Sequence, residues 1–313
     1  MEEIRKQIMT ARPNLRPVTI KNYMNQLNKL SHEIDGGALD HLGFLIDIPN
    51  VLSHIETLGI NSQNTFLSVI IVALTSESPR TPEIDELVKE YREIFLEKKK
   101  IYIQTLGTRK KTQKEKEQWK TLKELDKIRE FWKAQVLANH IPDKAGLTMK
   151  NQMILQKYLI TALYTLNAPR RNIYATVKLI TTTEFKKLRV EEAQQNFLVF
   201  SKNFKTLYFY YGYQKSKAID KPRVDISSKL KKVIRLYLKF HSNREFLLYT
   251  NQDKPLSQNS LSRSIINLFG MGSSMLRKVY ISNKTNRFHK YIDGLAQDMG
   301  HSPTTAKNFY LKD

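Results

Sequence analysis

The chain has no cysteine, which removes disulfides, thiol nucleophiles and cysteine-ligated zinc together. No stretch approaches the roughly eighteen consecutive apolar residues that span a bilayer. The opening Met1-Glu-Glu-Ile-Arg5 lacks the basic-then-apolar order of a secretory signal. The seven histidines are scattered, with no HExxH or paired-carboxylate spacing to hold a metal. Acid is scarce as well: 30 Asp and Glu face 52 Lys and Arg, a net charge of +22 over 313 residues. These absences predict an intracellular protein with no membrane partner, no metal and no cofactor. The charge imbalance predicts a polyanionic partner, and the aromatics interspersed among basic residues from end to end favour nucleic acid.

The length suits two domains, each able to bury a core. The first hundred residues read as helices. Pro17–Leu30 places Ile20, Tyr23, Met24, Leu27 and Leu30 at amphipathic spacing, with Lys21 and Lys29 available to phosphates. Ile48–Leu58 and Asn64–Leu74 repeat the pattern, with Asn61-Ser-Gln-Asn64 expected to cap the latter, and a further helix is expected from about Glu83 to Thr105. Residues 107–118 carry no apolar side chain and read as a linker or a solvated helix end, with Arg109, Lys110 and Lys111 along a phosphate backbone.

Beyond it, Trp119–Phe131 and Met149–Leu166 have helical character, Pro169 marks a turn, and Asn172–Leu179 is expected to be helical. Asn196–Phe200, Thr206–Tyr211 and Arg223–Ile226 are rich in aromatic and β-branched residues and read as a small antiparallel sheet. Helical periodicity returns from Ser228 to the end. The fold class expected is mainly α with a small antiparallel β-sheet.

Singly, the chemistry-bearing residues are unremarkable, since an arginine pair beside a proline is ordinarily surface charge and an aromatic near a chain end ordinarily packs. Their order is more informative. Arg170 opens a helix after an apolar helix, Lys215 and Lys217 lie in a loop between two strands, Arg277 follows Ser-Met-Leu on a helix, His301 comes 24 residues later and Tyr310 nine after that. Met299-Gly-His-Ser-Pro-Thr-Thr-Ala-Lys-Asn-Phe-Tyr310 resembles the Leu-Gly-His-Ser…Thr-Thr…Tyr element of the tyrosine recombinases, or phage-type integrases. Met275-Leu-Arg-Lys-Val-Tyr280 resembles that family's His-x-Leu-Arg-His box, and Gln214-Lys-Ser-Lys-Ala218 its Lys-Thr-Gly hairpin loop. Pro169-Arg-Arg171 resembles the first arginine box, in the form found in integrases of large DNA viruses, virophages and self-synthesising transposons.

The resemblance implies an N-terminal helical core-binding domain over residues 1–112 that clamps DNA and a catalytic domain of the DNA breaking–rejoining fold over 119–313. It implies Tyr310 as nucleophile, Arg170 and Arg277 on the non-bridging phosphate oxygens, Lys215 as general acid and His301 as a further proton handler. Arg171 and Lys217 are the alternates at their positions. The partner implied is double-stranded DNA, bound as a homotetramer by a protein that is a monomer or weak oligomer when free. The setting is a nucleus, viral factory or cytoplasm according to host. Type IB topoisomerases and telomere resolvases resemble this apparatus too, and a DNA-binding protein that has lost activity is the non-enzymatic alternative. The chain departs from the family in having Ser274 at the box histidine and Ile173 at the acidic position after Arg170; Lys278 and His289 are candidates to compensate. Only Leu311-Lys-Asp313 follows Tyr310, too short for the helix with which many relatives reach a neighbouring subunit. Subunit contacts are then expected from the tyrosine helix or the N-terminal domain, unless the C-terminus is truncated.

Overall fold

A computed structural model describes residues 1–107, 111–212 and 222–298, with the backbone alone for 105–107 and 286–298. The chain divides into two compact units, Met1–Lys111 and Thr112–Asp313. The architecture is mainly helical with a small four-stranded mixed sheet.

The first unit comprises α1 (Glu2–Ala11), α2 (Pro17–Asp35), α3 (Ile48–Glu56), α4 (Ile60–Ser76) and α5 (Pro82–Gly107). Phe66, Leu67, Val69, Ile70, Val72, Ala73 and Leu74 are all buried, so α4 is apolar nearly all round and takes the centre, with the other four helices packed on it. Pro17 opens α2 at a position whose N–H would be unpaired anyway, and Gly36 closes it in the left-handed region at φ 72°. The expected capping of α4 by Asn61–Asn64 is not observed. The helix begins earlier, at Ile60 after Gly59, and Gln63 donates its amide back to Leu58 O at 2.7 Å from within the first turn.

In the second unit the polar stretch expected to be a linker or a solvated helix end contains the short polar helix α6 (Gln113–Gln118), followed by α7 (Leu122–Ala138). Both start on reciprocal caps, Thr112 with Glu115 and Thr121 with Glu124, which satisfy orphan N–H groups; α6 buries no residue, whereas α7 buries Leu125 and Val136. The central helix is α8 (Met149–Thr165), capped by Thr148 and buried along most of its length. Then come β1 (Val177–Thr181), α9 (Thr182–Phe185), β2 (Asn196–Phe200), β3 (Leu207–Tyr211), β4 (Arg223–Asp225), α10 (Ser228–His241), α11 (Gln258–Phe269) and α12 (Ser273–Asp298).

Strands lie in the order β1-β2-β3-β4, with β1 parallel to β2 and the remaining pairs antiparallel. The sheet is therefore mixed, and the helix expected over Asn172–Leu179 is instead a short 3-10 turn, Asn172–Thr176, leading into β1. The apolar spacing there is answered by distant backbone: Leu179 N–H donates to Glu245 O and Leu247 N–H to Val177 O, each at 2.8 Å. A parallel pair needs a crossover, and the segment through α9 supplies it. All of β2 is buried, whereas β3 alternates, turning Leu207, Phe209 and Tyr211 into the core.

Candidate functional site

The arginines sit where α8 ends. Leu166 and Asn167 both accept hydrogen bonds from Ser227, from its hydroxyl at 3.1 Å and its N–H at 3.3 Å respectively. Ser227 also caps α10, so the loop carrying Arg170 and Arg171 is fastened to the start of that helix. Pro169 is buried, Arg170 half-buried and Arg171 exposed. The Arg170 guanidinium carbon lies 3.8 Å from the centre of the Tyr211 ring.

Beneath the arginines lies a cluster of buried tyrosines. Tyr164 meets Tyr174 edge to face at 5.4 Å, and Tyr174 and Tyr211 share a hydrogen bond between hydroxyls. The Tyr164 hydroxyl donates to Arg171 O at 3.3 Å. Burial, opposed by the charge of Arg170 and by the Tyr211 hydrogen bond, pushes the Tyr174 phenol up to about 12. Burial first and the neighbouring Tyr174 next push Tyr164 and Tyr211 well above the ordinary value. These phenols are neutral hydrogen-bonding groups at any physiological pH.

Arg277 comes from the first turns of α12, set off from α11 by Gly270 at φ 71°. It donates from Nη2 to Ser274 Oγ at 3.2 Å, and its buried Nε has no hydrogen-bond partner among the described residues. Burial, then the charge of Arg171, lowers its pKa, while Tyr164 opposes the shift. The arrangement thus holds two like charges close together with one buried donor unanswered. An anion would relieve both deficits at once, because it attracts each guanidinium and accepts from the unused N–H.

The strands lead to the same place. Tyr211 ends β3, and its N–H donates to Pro222 O at 2.8 Å just before β4, joining the ends of the segment that contains Lys215 and Lys217. Gly212 is required by close approach: a Cβ there would stand 1.9 Å from Ala193 O.

Of the residues singled out in the sequence, Arg170, Arg171, Arg277 and Ser274 are brought to this region. Lys278 is engaged elsewhere, in an ion pair with Glu115, whose carboxyl is held below the ordinary range first by the Lys278 hydrogen bond. His289 lies on α12. Lys215, Lys217, His301 and Tyr310 lie outside the described residues, as do Arg109 and Lys110. Lys21 and Lys29 are on α2, the latter 3.6 Å from Glu33, and Lys111 is exposed. The sequence reading missed Tyr164, Tyr174 and Tyr211. The available signal was the alternation in Leu207–Tyr211, which turns Tyr211 to the same side as Leu207 and Phe209.

Among the described residues no group of three or more His, Asp or Glu could hold a metal ion, and no helix is long and apolar enough to cross a membrane. No protein-family model matches the chain, and no curated protein is significantly similar to it.

Proposed function

We propose that the chain is a tyrosine recombinase that cuts and rejoins double-stranded DNA through a 3′-phosphotyrosine intermediate. The observation that carries the reading is the gathering of Arg170, Arg171 and the incompletely hydrogen-bonded Arg277 at one end of α8, at the root of the strand pair that encloses Lys215. Two guanidiniums are suited to the non-bridging oxygens of a phosphodiester, whose negative charge grows toward the transition state. The Tyr310 oxygen attacks phosphorus as its proton passes to His301, and the bond from phosphorus to the 5′-oxygen breaks. Lys215 gives that oxygen a proton, and a free 5′-hydroxyl is left. Attack by a DNA hydroxyl on the phosphotyrosine reverses the steps and restores the phenol. The helices of the first unit, with Lys21 and Lys29, bind DNA as well, and strand exchange takes place in a homotetramer.

A nicked duplex that loses its 5′ fragment on cleavage traps such an intermediate. Wild-type protein should form a covalent adduct mapping to Tyr310, and Tyr310→Phe should form none while binding the duplex with similar affinity. Adduct formation by Tyr310→Phe would overturn the nucleophile assignment. Failure of the wild type to form any adduct on a panel of candidate element ends would favour a DNA-binding protein without strand-transfer activity.

A further inference from the structure

Arg170 is held in an unusual way for a guanidinium directed at phosphate. It makes no hydrogen bond or ion pair with any described residue, and the position three residues on, where the recombinase resemblance leads one to expect a carboxylate, is Ile173. Its contact is with an aromatic face. The 3.8 Å separation from the Tyr211 ring centre is the shortest cation–ring distance among the described residues, the next being 4.3 Å for Arg223 over Tyr208.

The Tyr211 ring is itself fixed from several sides. It is 2 % exposed, stacks on Phe209 at 5.6 Å with 19° between planes, bonds Tyr174 through its hydroxyl and is anchored by its own N–H to Pro222 O. A ring face attracts a cation without occupying its N–H groups, whereas a carboxylate would take up two of them. A guanidinium seated on a ring therefore keeps its donor fork available to an incoming anion. Tyr211 is also the last residue of β3, so it ties the position of Arg170 to the end of that strand.

We propose that Tyr211 is the positioning residue for Arg170, its ring face standing in for the missing carboxylate and orienting the guanidinium toward the scissile phosphate. The inference rests on the recombinase reading for its role in catalysis, but the seating of Arg170 is measurable without it. In nitrogen-15 spectra the Arg170 Nε–H, identified by its disappearance in Arg170→Lys, should show a ring-current shift. The shift should persist in Tyr211→Phe and vanish in Tyr211→Met. Should Tyr211→Met not fold, replacing Tyr211 by phenylalanine and then by trifluorophenylalanine keeps the shape and weakens the ring's attraction for a cation.

At saturating nicked duplex, Tyr211→Phe should form adduct within about twofold of wild type, and the trifluoro variant about tenfold more slowly, with the Kd for DNA unchanged in both. In an Arg170→Ala background the fluorine effect should disappear. Equal rates for the phenylalanine and trifluorophenylalanine proteins would overturn the proposal, as would a fluorine effect that survives removal of Arg170. An equally slow Tyr211→Phe would assign the role to the hydroxyl and Tyr174 instead, which also overturns it. If wild type forms no adduct, the recombinase reading falls, while the Arg170 resonance still decides whether the ring seats that arginine.

Discussion

The two units solve the problem of a core differently. In Met1–Lys111 the buried side chains are mostly aliphatic, Ser31, Gln63 and Ser76 are the buried polar residues, and the one fully buried tyrosine, Tyr91, is satisfied by Leu45 O at 2.8 Å. In the second unit the core includes Tyr158, Tyr164, Tyr174, Tyr211 and Tyr237, together with buried Asn151, Gln156, Thr161, Asn196 and His241. Buried polar groups stabilise only when fully hydrogen-bonded, so a core that needs many of them is constrained by more than packing. Tyr164, Tyr174 and Tyr211 lie by Arg170, Arg171 and Arg277, whereas Tyr237, Gln156 and His241 form a separate set beside Tyr249. The contrast separates a core held mainly by aliphatic packing from one that also carries a set of buried phenols.

The largest expected effect breaks the aliphatic side. Leu67→Ala empties a fully buried position on the central helix of the first unit and should cost about 2–5 kcal/mol. Amide hydrogen exchange should quicken chiefly within Met1–Lys111; equal loss of protection throughout Thr112–Asp298 would show that the two cores do not respond separately.

A smaller effect is expected from acid, on the polar side. His241 is 3 % exposed beside Tyr237, and burial first, with the charge of Arg244 next, lowers its pKa to about 4, against the opposing pull of Asp253. The unfolded chain takes up this proton near the ordinary value of 6.5, and the folded chain only near 4. Stability from neutral His241 is therefore complete above pH 6.5 and is lost as pH falls toward 4, by roughly 3 kcal/mol in all. Denaturant melts at pH 7, 6 and 5 should show a steeper decline for wild type than for His241→Gln, and parallel declines would refute the assignment.

The smallest change in stability, and the sharpest test of the comparison, comes from Arg277→Met. Removing a partly desolvated charge beside Arg171 should leave stability unchanged or up to about 1 kcal/mol higher, whereas adduct formation should fall about 10²- to 10³-fold. A melting temperature that drops along with activity would make Arg277 a structural residue.

Sequence pattern revealed some of this and hid the rest for physical reasons. Asn196–Phe200 was legible as a strand because β-branched and aromatic residues fill it and polar residues bound it. Val177–Thr181 was not, since its partners at Glu245 and Leu247 are remote and its apolar residues also fit a helical spacing. The helix within the supposed linker was signalled by Thr112 and Glu115, a reciprocal cap that a search for apolar periodicity passes over. At the site, the order of Arg170 and Arg277 was readable, but the ring under Arg170 was not, because cation–ring contact leaves no spacing in the chain.

The fastening of the arginine loop to Ser227 has a consequence for how the protein is made. The two hydrogen bonds join residues 60 and 61 positions apart, and Arg277 arrives later still. A chain emerging from the ribosome therefore completes its first unit long before Arg170 has its platform or Arg277 its neighbour. Until then Arg170 lacks the Tyr211 ring and the loop that carries it lacks its anchor at Ser227, so the tyrosine and arginine cluster forms as one late unit.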